Sequence, residues 1–138
     1  MAKIAISGYY GFKNFGDEAI LSVLVNHLKS LQNADITVFS SDVEYTEKTY
    51  GVKAVKRFCL KNVLKTIKDC DVLVSGGGSL LQDVTSLKSL IYYAFIIAMG
   101  LFFNKKVVIF AQGIGPLNSN VAQIIVKNLI KYCSYVKV

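Results

Sequence analysis

The sequence predicts an open, doubly wound α/β domain built on a mostly parallel sheet. Three observations predict it. Short apolar runs of strand length alternate with stretches of helical periodicity, which is the signature of βαβ units. The strand runs are apolar throughout, without polar residues at every second position, as a sheet covered on both faces requires. Glycine clusters directly follow three of these runs, at Gly8 to Gly16, Gly76 to Gly78 and Gly113 to Gly115. Ligands of such sheets sit beyond the C-terminal ends of the strands. The three clusters should therefore converge on one edge.

The elements follow in order. Lys3 to Ser7 is a short apolar run ending at Gly8, a buried strand. From Asp17 to Leu31, the residues Ile20, Leu21, Leu24, Leu28 and Leu31 recur at helical spacing. Ile36 to Phe39 is a second strand, and residues 40 to 51 are polar and turn-like. Val52 to Val55 reads as a short third strand, and Leu60 to Asp69 as a helix. Asp71 to Ser75 is a strand that runs into the three glycines. Leu87 to Phe103 is an apolar helix, and Lys106 to Ala111 a buried strand leading to a glycine-rich turn at Gln112 to Pro116. Ser119 to Tyr132 is a helix with Ser119 as its N-cap. Tyr135 to Val138 reads as the start of a further strand, so residues 1–138 are expected to form one domain of a longer protein.

Composition narrows the class. The 138 residues are 53% hydrophobic and 18% charged, enough apolar material for a core, without repeats or low-complexity tracts. The net charge is +7, but the lysines are scattered. Lys61, Lys65 and Lys68 share one helical face opposite Leu60, Val63, Leu64 and Ile67, which reads as a solvated face. The other reading is a weak attraction to anionic lipid or phosphorylated substrates. Basic residues are not interleaved with aromatics in any nucleic-acid-binding module, so no nucleic acid is expected. Cys59, Cys70 and Cys133 are odd in number and lack a CxxC spacing, which argues for free thiols in a reducing cytosol over disulfides or zinc. The uncharged stretch Leu90 to Phe103 is shorter than the roughly 20 residues a spanning helix needs. It reads as a buried helix, with a membrane-surface helix as the alternative.

The opening loop, "GYYGFKNFGDEAIL" from Gly8 to Leu21, carries the first candidate site. Its glycines are spaced G-x2-G-x4-G, which matches neither the dinucleotide fingerprint nor the P-loop. Asp17 and Glu18 sit where the helix begins. Acids there either stabilise the helix N-terminus or line a site. In both cases they disfavour a phosphate cradle. A carboxylate suits sugar hydroxyls and can serve as the base that activates one. Gly8, Tyr9, Gly11, Asn14 and Gly16 complete this group, with Asn14 offering both a donor and an acceptor. The second cluster, "SGGGSLLQD", runs from Ser75 to Asp83. Gly76, Gly77 and Gly78 could turn their N–H groups into one anion-binding nest, or simply form a tight turn. Gln82 and Asp83 are polar in an apolar neighbourhood. The third, "AQGIGPL" from Ala111 to Leu117, places Gln112 and Gly113 at a strand end. His27, the sole histidine, lies near the edge of an apolar stripe and reads as a packed structural residue. No metal-binding or Ser-His-Asp constellation can be built.

Together, the three clusters resemble the polysaccharide pyruvyl transferase family, in the order and spacing of that family's first half. The resemblance implies a Rossmann-like N-terminal domain of a two-domain glycosyltransferase-B-type fold. It implies transfer of a pyruvyl group from phosphoenolpyruvate to two hydroxyls of one sugar, in cell-wall or exopolysaccharide biosynthesis, without a cofactor. Asp17, Glu18 and Asp83 are then the base-type catalytic residues. The cations for the donor and a histidine-type acid are expected from a second domain, since Arg57 is the only arginine here. The isolated domain is accordingly expected to be inactive. The implied partners are the donor, a sugar or lipid-linked saccharide, that second domain, and the cytoplasmic face of a membrane. The competing readings are half of a nucleotide-sugar glycosyltransferase and a non-catalytic Rossmann-type binding domain.

Overall fold

The computed structural model describes residues 2–13, 15–31, 33–81, 87–114, 120–133 and 135–137. The chain runs β1 (Ala2–Ser7), α1 (Phe15–Ser30), β2 (Ala34–Ser40), α2 (Val43–Tyr50), β3 (Lys53–Lys56), α3 (Leu60–Asp69), β4 (Val72–Leu81), α4 (Leu87–Phe102), β5 (Lys106–Ile114), α5 (Asn120–Tyr132) and β6 (Tyr135–Lys137). The six strands form one parallel sheet in the order β3-β2-β1-β4-β5-β6. That is the doubly wound, Rossmann-like arrangement, and it follows from short right-handed crossovers that reverse direction once, at β1.

Two cores flank the sheet, and the strand period of two divides residues between them. Ile4, Ile6 and Val74 face α1, where they pack with Leu21, Leu24 and Val25. Ala5, Leu73 and Val107 face the other way, against α3 and α4. The uncharged helix is thus a core helix. Leu90, Tyr93, Ile96 and Ile97 of α4 are buried against β4 and β5. Among the described residues, no helix is long and apolar enough to cross a membrane. On α3, Val63 and Ile67 are buried while Lys61, Lys65 and Lys68 are exposed, as the charge pattern predicts; Leu60 stays exposed too. All three thiols are free. Burial pushes the Cys133 thiol up to about 11, which leaves it protonated.

Four local expectations are corrected. Residues 43 to 50 are helical, not turn-like. Asp42 accepts a bond from the Tyr45 N–H at 3.1 Å, Gly51 closes the other end at φ 64°, and Lys48 pairs with Glu44 one turn away. Gly76, Gly77 and Gly78 lie within β4, which pairs with β5 as far as Leu81. Gln112 and Gly113 likewise continue β5 and do not turn. His27 is exposed, at the rim of an apolar groove of about 500 Å³ between α1 and β4. The buried stripe of α1 runs through Leu24 and Val25, and two residues further on the helix has turned its side chains outward. Ser119, the expected N-cap of α5, lies outside the described residues.

Candidate functional site

Adjacent β1 and β4 send their following helices to opposite faces of the sheet. The C-terminal ends of strands at such a reversal are the general ligand position of the fold. The loop from Gly8 to Lys13 rises from β1 at this point. Its inward anchor is Tyr10, which is fully buried and donates its hydroxyl to the Gly76 carbonyl at 2.5 Å. Gly8 must be glycine because a Cβ would overlap both the Tyr10 ring and that same carbonyl. Tyr10 therefore joins the first two glycine clusters across the switch between β1 and β4.

The loop is also tied sideways. The Ser41 N–H donates to the Tyr10 carbonyl at 3.1 Å, linking it to the turn after β2. Gly11 sits against that turn at φ 85°, where a Cβ would meet Ser40 Oγ and the backbone nitrogens of Ser41 and Asp42. A left-handed backbone in contact with other backbone admits little except glycine.

The two neighbouring acids do different work. Glu18 is buried at 8% exposure. Its Oε2 accepts the Gly11 N–H at 3.3 Å, and its Oε1 accepts the Tyr50 hydroxyl at 2.9 Å. It clasps the loop to the start of α1 and to the end of α2. Burial, together with this bond to Glu18, raises the Tyr50 hydroxyl far above its ordinary pKa, so that Tyr50 stays a donor. Asp17 is half-buried, and desolvation followed by the charge of Glu18 pushes its carboxyl pKa up. After burial, the charge of Asp17 also raises the Tyr10 hydroxyl pKa. A half-buried carboxyl with a raised pKa is suited to take a proton from a hydroxyl.

The structure thus brings Gly8, Tyr9, Gly11, Asp17, Glu18 and Gly76 together. Gly16 lies in the first turn of α1. Gly78 pairs with Gln112 in the part of β4 and β5 that extends past the end of β1, with a register shift before Leu81. Successive N–H groups of a strand point in opposite directions, so Gly76 to Gly78 make no convergent nest. Asn14, Gln82 and Asp83 lie outside the described residues.

Sequence reasoning missed the aromatic and cationic half of this edge. Arg57 follows β3, and its N–H donates to the Ser40 carbonyl at 3.0 Å. Its side chain is 5% exposed and lies within 6 Å of five ring centroids: Tyr9 at 5.7 Å, Phe12 at 5.0 Å, Phe58 at 4.9 Å, Tyr92 at 4.8 Å and Tyr93 at 5.3 Å. Nη2 donates to the Tyr93 hydroxyl at 2.8 Å, and the Tyr92 hydroxyl donates to the Arg57 carbonyl at 2.5 Å. Among the described residues, no carboxylate forms an ion pair with it. Each cation–π contact contributes on the order of 0.5–2 kcal/mol, against a desolvation penalty of several kcal/mol for a buried ion. The signal that could have found this group is a lone arginine directly after a strand, on the edge where the glycine clusters end.

No curated protein matches the chain. The family model described as Polysaccharide pyruvyl transferase matches residues 14–138. It covers the clasp residues Glu18 and Tyr50, Arg57 with Phe58, Tyr92 and Tyr93, and all of the sheet after β1, while Tyr9 and Phe12 precede it. The match spans most of the chain, and the chain belongs to the polysaccharide pyruvyl transferase family.

Proposed function

We propose that this domain is the acceptor-side half of a glycosyltransferase-B-type enzyme that transfers a pyruvyl group from phosphoenolpyruvate to two hydroxyls of one sugar. The acceptor is a sugar or lipid-linked saccharide destined for cell-wall or exopolysaccharide, met at the cytoplasmic face of a membrane. In this reading, the methylene carbon of the donor gains a proton and C2 is attacked by the first hydroxyl oxygen, whose proton passes to a base. Phosphate leaves, and the second hydroxyl adds to C2 and loses its proton, closing the ketal. Asp17 is the base on this side of the cleft, and Glu18 keeps the loop in shape beneath the sugar. A second domain supplies the acid and the donor's cations.

The observation that carries this reading is the half-buried Asp17 carboxyl, with its raised pKa, at the switch between β1 and β4. The test is a single assay. Full-length protein, phosphoenolpyruvate and a lipid-linked ManNAc-containing acceptor should release inorganic phosphate and yield an acid-labile ketal. Nucleoside diphosphate released from a nucleotide-sugar, with no phosphate from phosphoenolpyruvate, would instead assign a glycosyl transfer. Release of neither would leave a binding domain.

A further inference from the structure

Arg57 is an unusual burial. A guanidinium has five N–H donors, and among the described residues the Nε–H and both Nη1–H groups find no acceptor, although neither nitrogen reaches solvent. Aromatic faces offset the charge, but they do not replace hydrogen-bond acceptors. Arg57 nonetheless sits at the C-terminal edge of the sheet, where ligands of this fold bind, beside the loop after β1.

The walls of its box are unequal. Tyr93 is 2% exposed and Tyr92 is half-buried, and both stand on α4 as the fixed floor. Tyr9 and Phe12 are 39% and 42% exposed, and stack on each other at 4.1 Å with their planes 12° apart. They belong to the loop, and both rings lie against the guanidinium. Nη1, buried and without a partner among the described residues, offers its donors on the planar guanidinium edge that binds carboxylates and phosphates.

We propose that Arg57 is an oxyanion seat, which receives a carboxylate or phosphate group of a small ligand when the Tyr9–Phe12 pair moves aside. The seat lies beside the acidic loop, so this edge holds an anion at Arg57 and hydroxyls at Asp17. It does not depend on which group the enzyme transfers.

Titration of the protein with inorganic phosphate, pyruvate and phosphoenolpyruvate, at ionic strength matched with sodium chloride, tests it by calorimetry and thermal melting. Wild type should bind at least one of these anions saturably. Phosphate and pyruvate in separate arms tell which group Arg57 takes. A bound ligand at 100 times its Kd raises the melting midpoint of a domain this size by about 10 °C. R57Q, shown folded by circular dichroism, should bind at least 10-fold more weakly. If R57Q does not fold, R57K keeps the charge but loses the planar edge, and should show the same weakening. F12A, which removes one of the two loop rings, should retain binding. Anion affinity unchanged in R57Q or R57K, or no saturable binding by wild type beyond the chloride control, would overturn the seat. Phosphate binding that needs Arg57, without any binding of phosphoenolpyruvate, would support the seat and leave the donor to the second domain. Phosphoenolpyruvate binding unaffected by R57Q would overturn the seat.

Discussion

The glycines at Gly8 and Gly11 and those at Gly76 to Gly78 look alike in the sequence and behave differently in the fold. The first pair shapes a loop. Gly11 adopts a left-handed backbone against the turn after β2, and a buried carboxylate, Glu18, holds the loop in place. The second set continues a strand, paired with β5 on one side. The two regions meet at Tyr10, which fills the space left by the absent Cβ of Gly8 and bonds to the Gly76 carbonyl. Glycine at Gly11 answers a backbone need, and at Gly8 it makes room for the Tyr10 ring. At Gly76 it answers a packing need, since a Cβ there would lie 3.2 Å from the Tyr10 hydroxyl and 3.3 Å from Leu24 Cδ2.

That difference predicts a ranked set of effects. G11A should be the most damaging, because the strain of a left-handed non-glycine residue adds to overlap with backbone that cannot yield. Each contribution is about 1–3 kcal/mol. Urea unfolding should show a loss of at least 2 kcal/mol, and a loss below 0.5 kcal/mol would mean that the loop is not held as described. E18Q comes next. Gln offers one acceptor where the clasp uses two, so Gly11 or Tyr50 loses its partner at a cost of about 1–2 kcal/mol. Tryptic cleavage after Lys13 should become faster in this variant.

G76A should cost about 1 kcal/mol, less than G11A, since the Tyr10 hydroxyl and a leucine methyl need shift by only a few tenths of an ångström. Equal losses for G76A and G11A would erase the distinction between the regions. D17N should have the smallest effect on stability. The Asp17 carboxyl titrates higher in the folded chain than its ordinary value of 3.8, so the native state binds its proton more tightly. Its contribution is fully present below pH 3.8 and is lost as pH rises through the raised folded pKa. At neutral pH, D17N should therefore melt at or slightly above the wild-type temperature, and the gap should close as pH falls below 3.8.

Much of this architecture is legible in the sequence because burial on both faces leaves a plain mark. The apolar runs at Lys3 to Ser7 and Lys106 to Ala111 are strands for that reason. The α2 helix reads as a turn because its polar residues hide the periodicity, and only Asp42 and Gly51 at its ends mark it. The roles of the acids were not legible. Asp17 and Glu18 are adjacent in sequence and similar in chemistry. What separates them is that Glu18 turns toward Gly11 and Tyr50, the latter 32 residues away. The Gly76 to Gly78 stretch reads as a turn by composition, and only pairing with β5 makes it a strand. Arg57 stands out in the sequence only as a lone arginine directly after a strand. Its box is assembled from the loop after β1, the turn after β3 and the first half of α4.

The central claim is that two neighbouring acids divide the work of the loop, Glu18 holding it and Asp17 acting on the acceptor. The most direct measurement is phosphate release from phosphoenolpyruvate by full-length D17N, taken beside its melting temperature. The account predicts a wild-type melting temperature with a rate lowered about 100-fold or more, the usual scale of a lost general base. A D17N enzyme that turns over at the wild-type rate would contradict it.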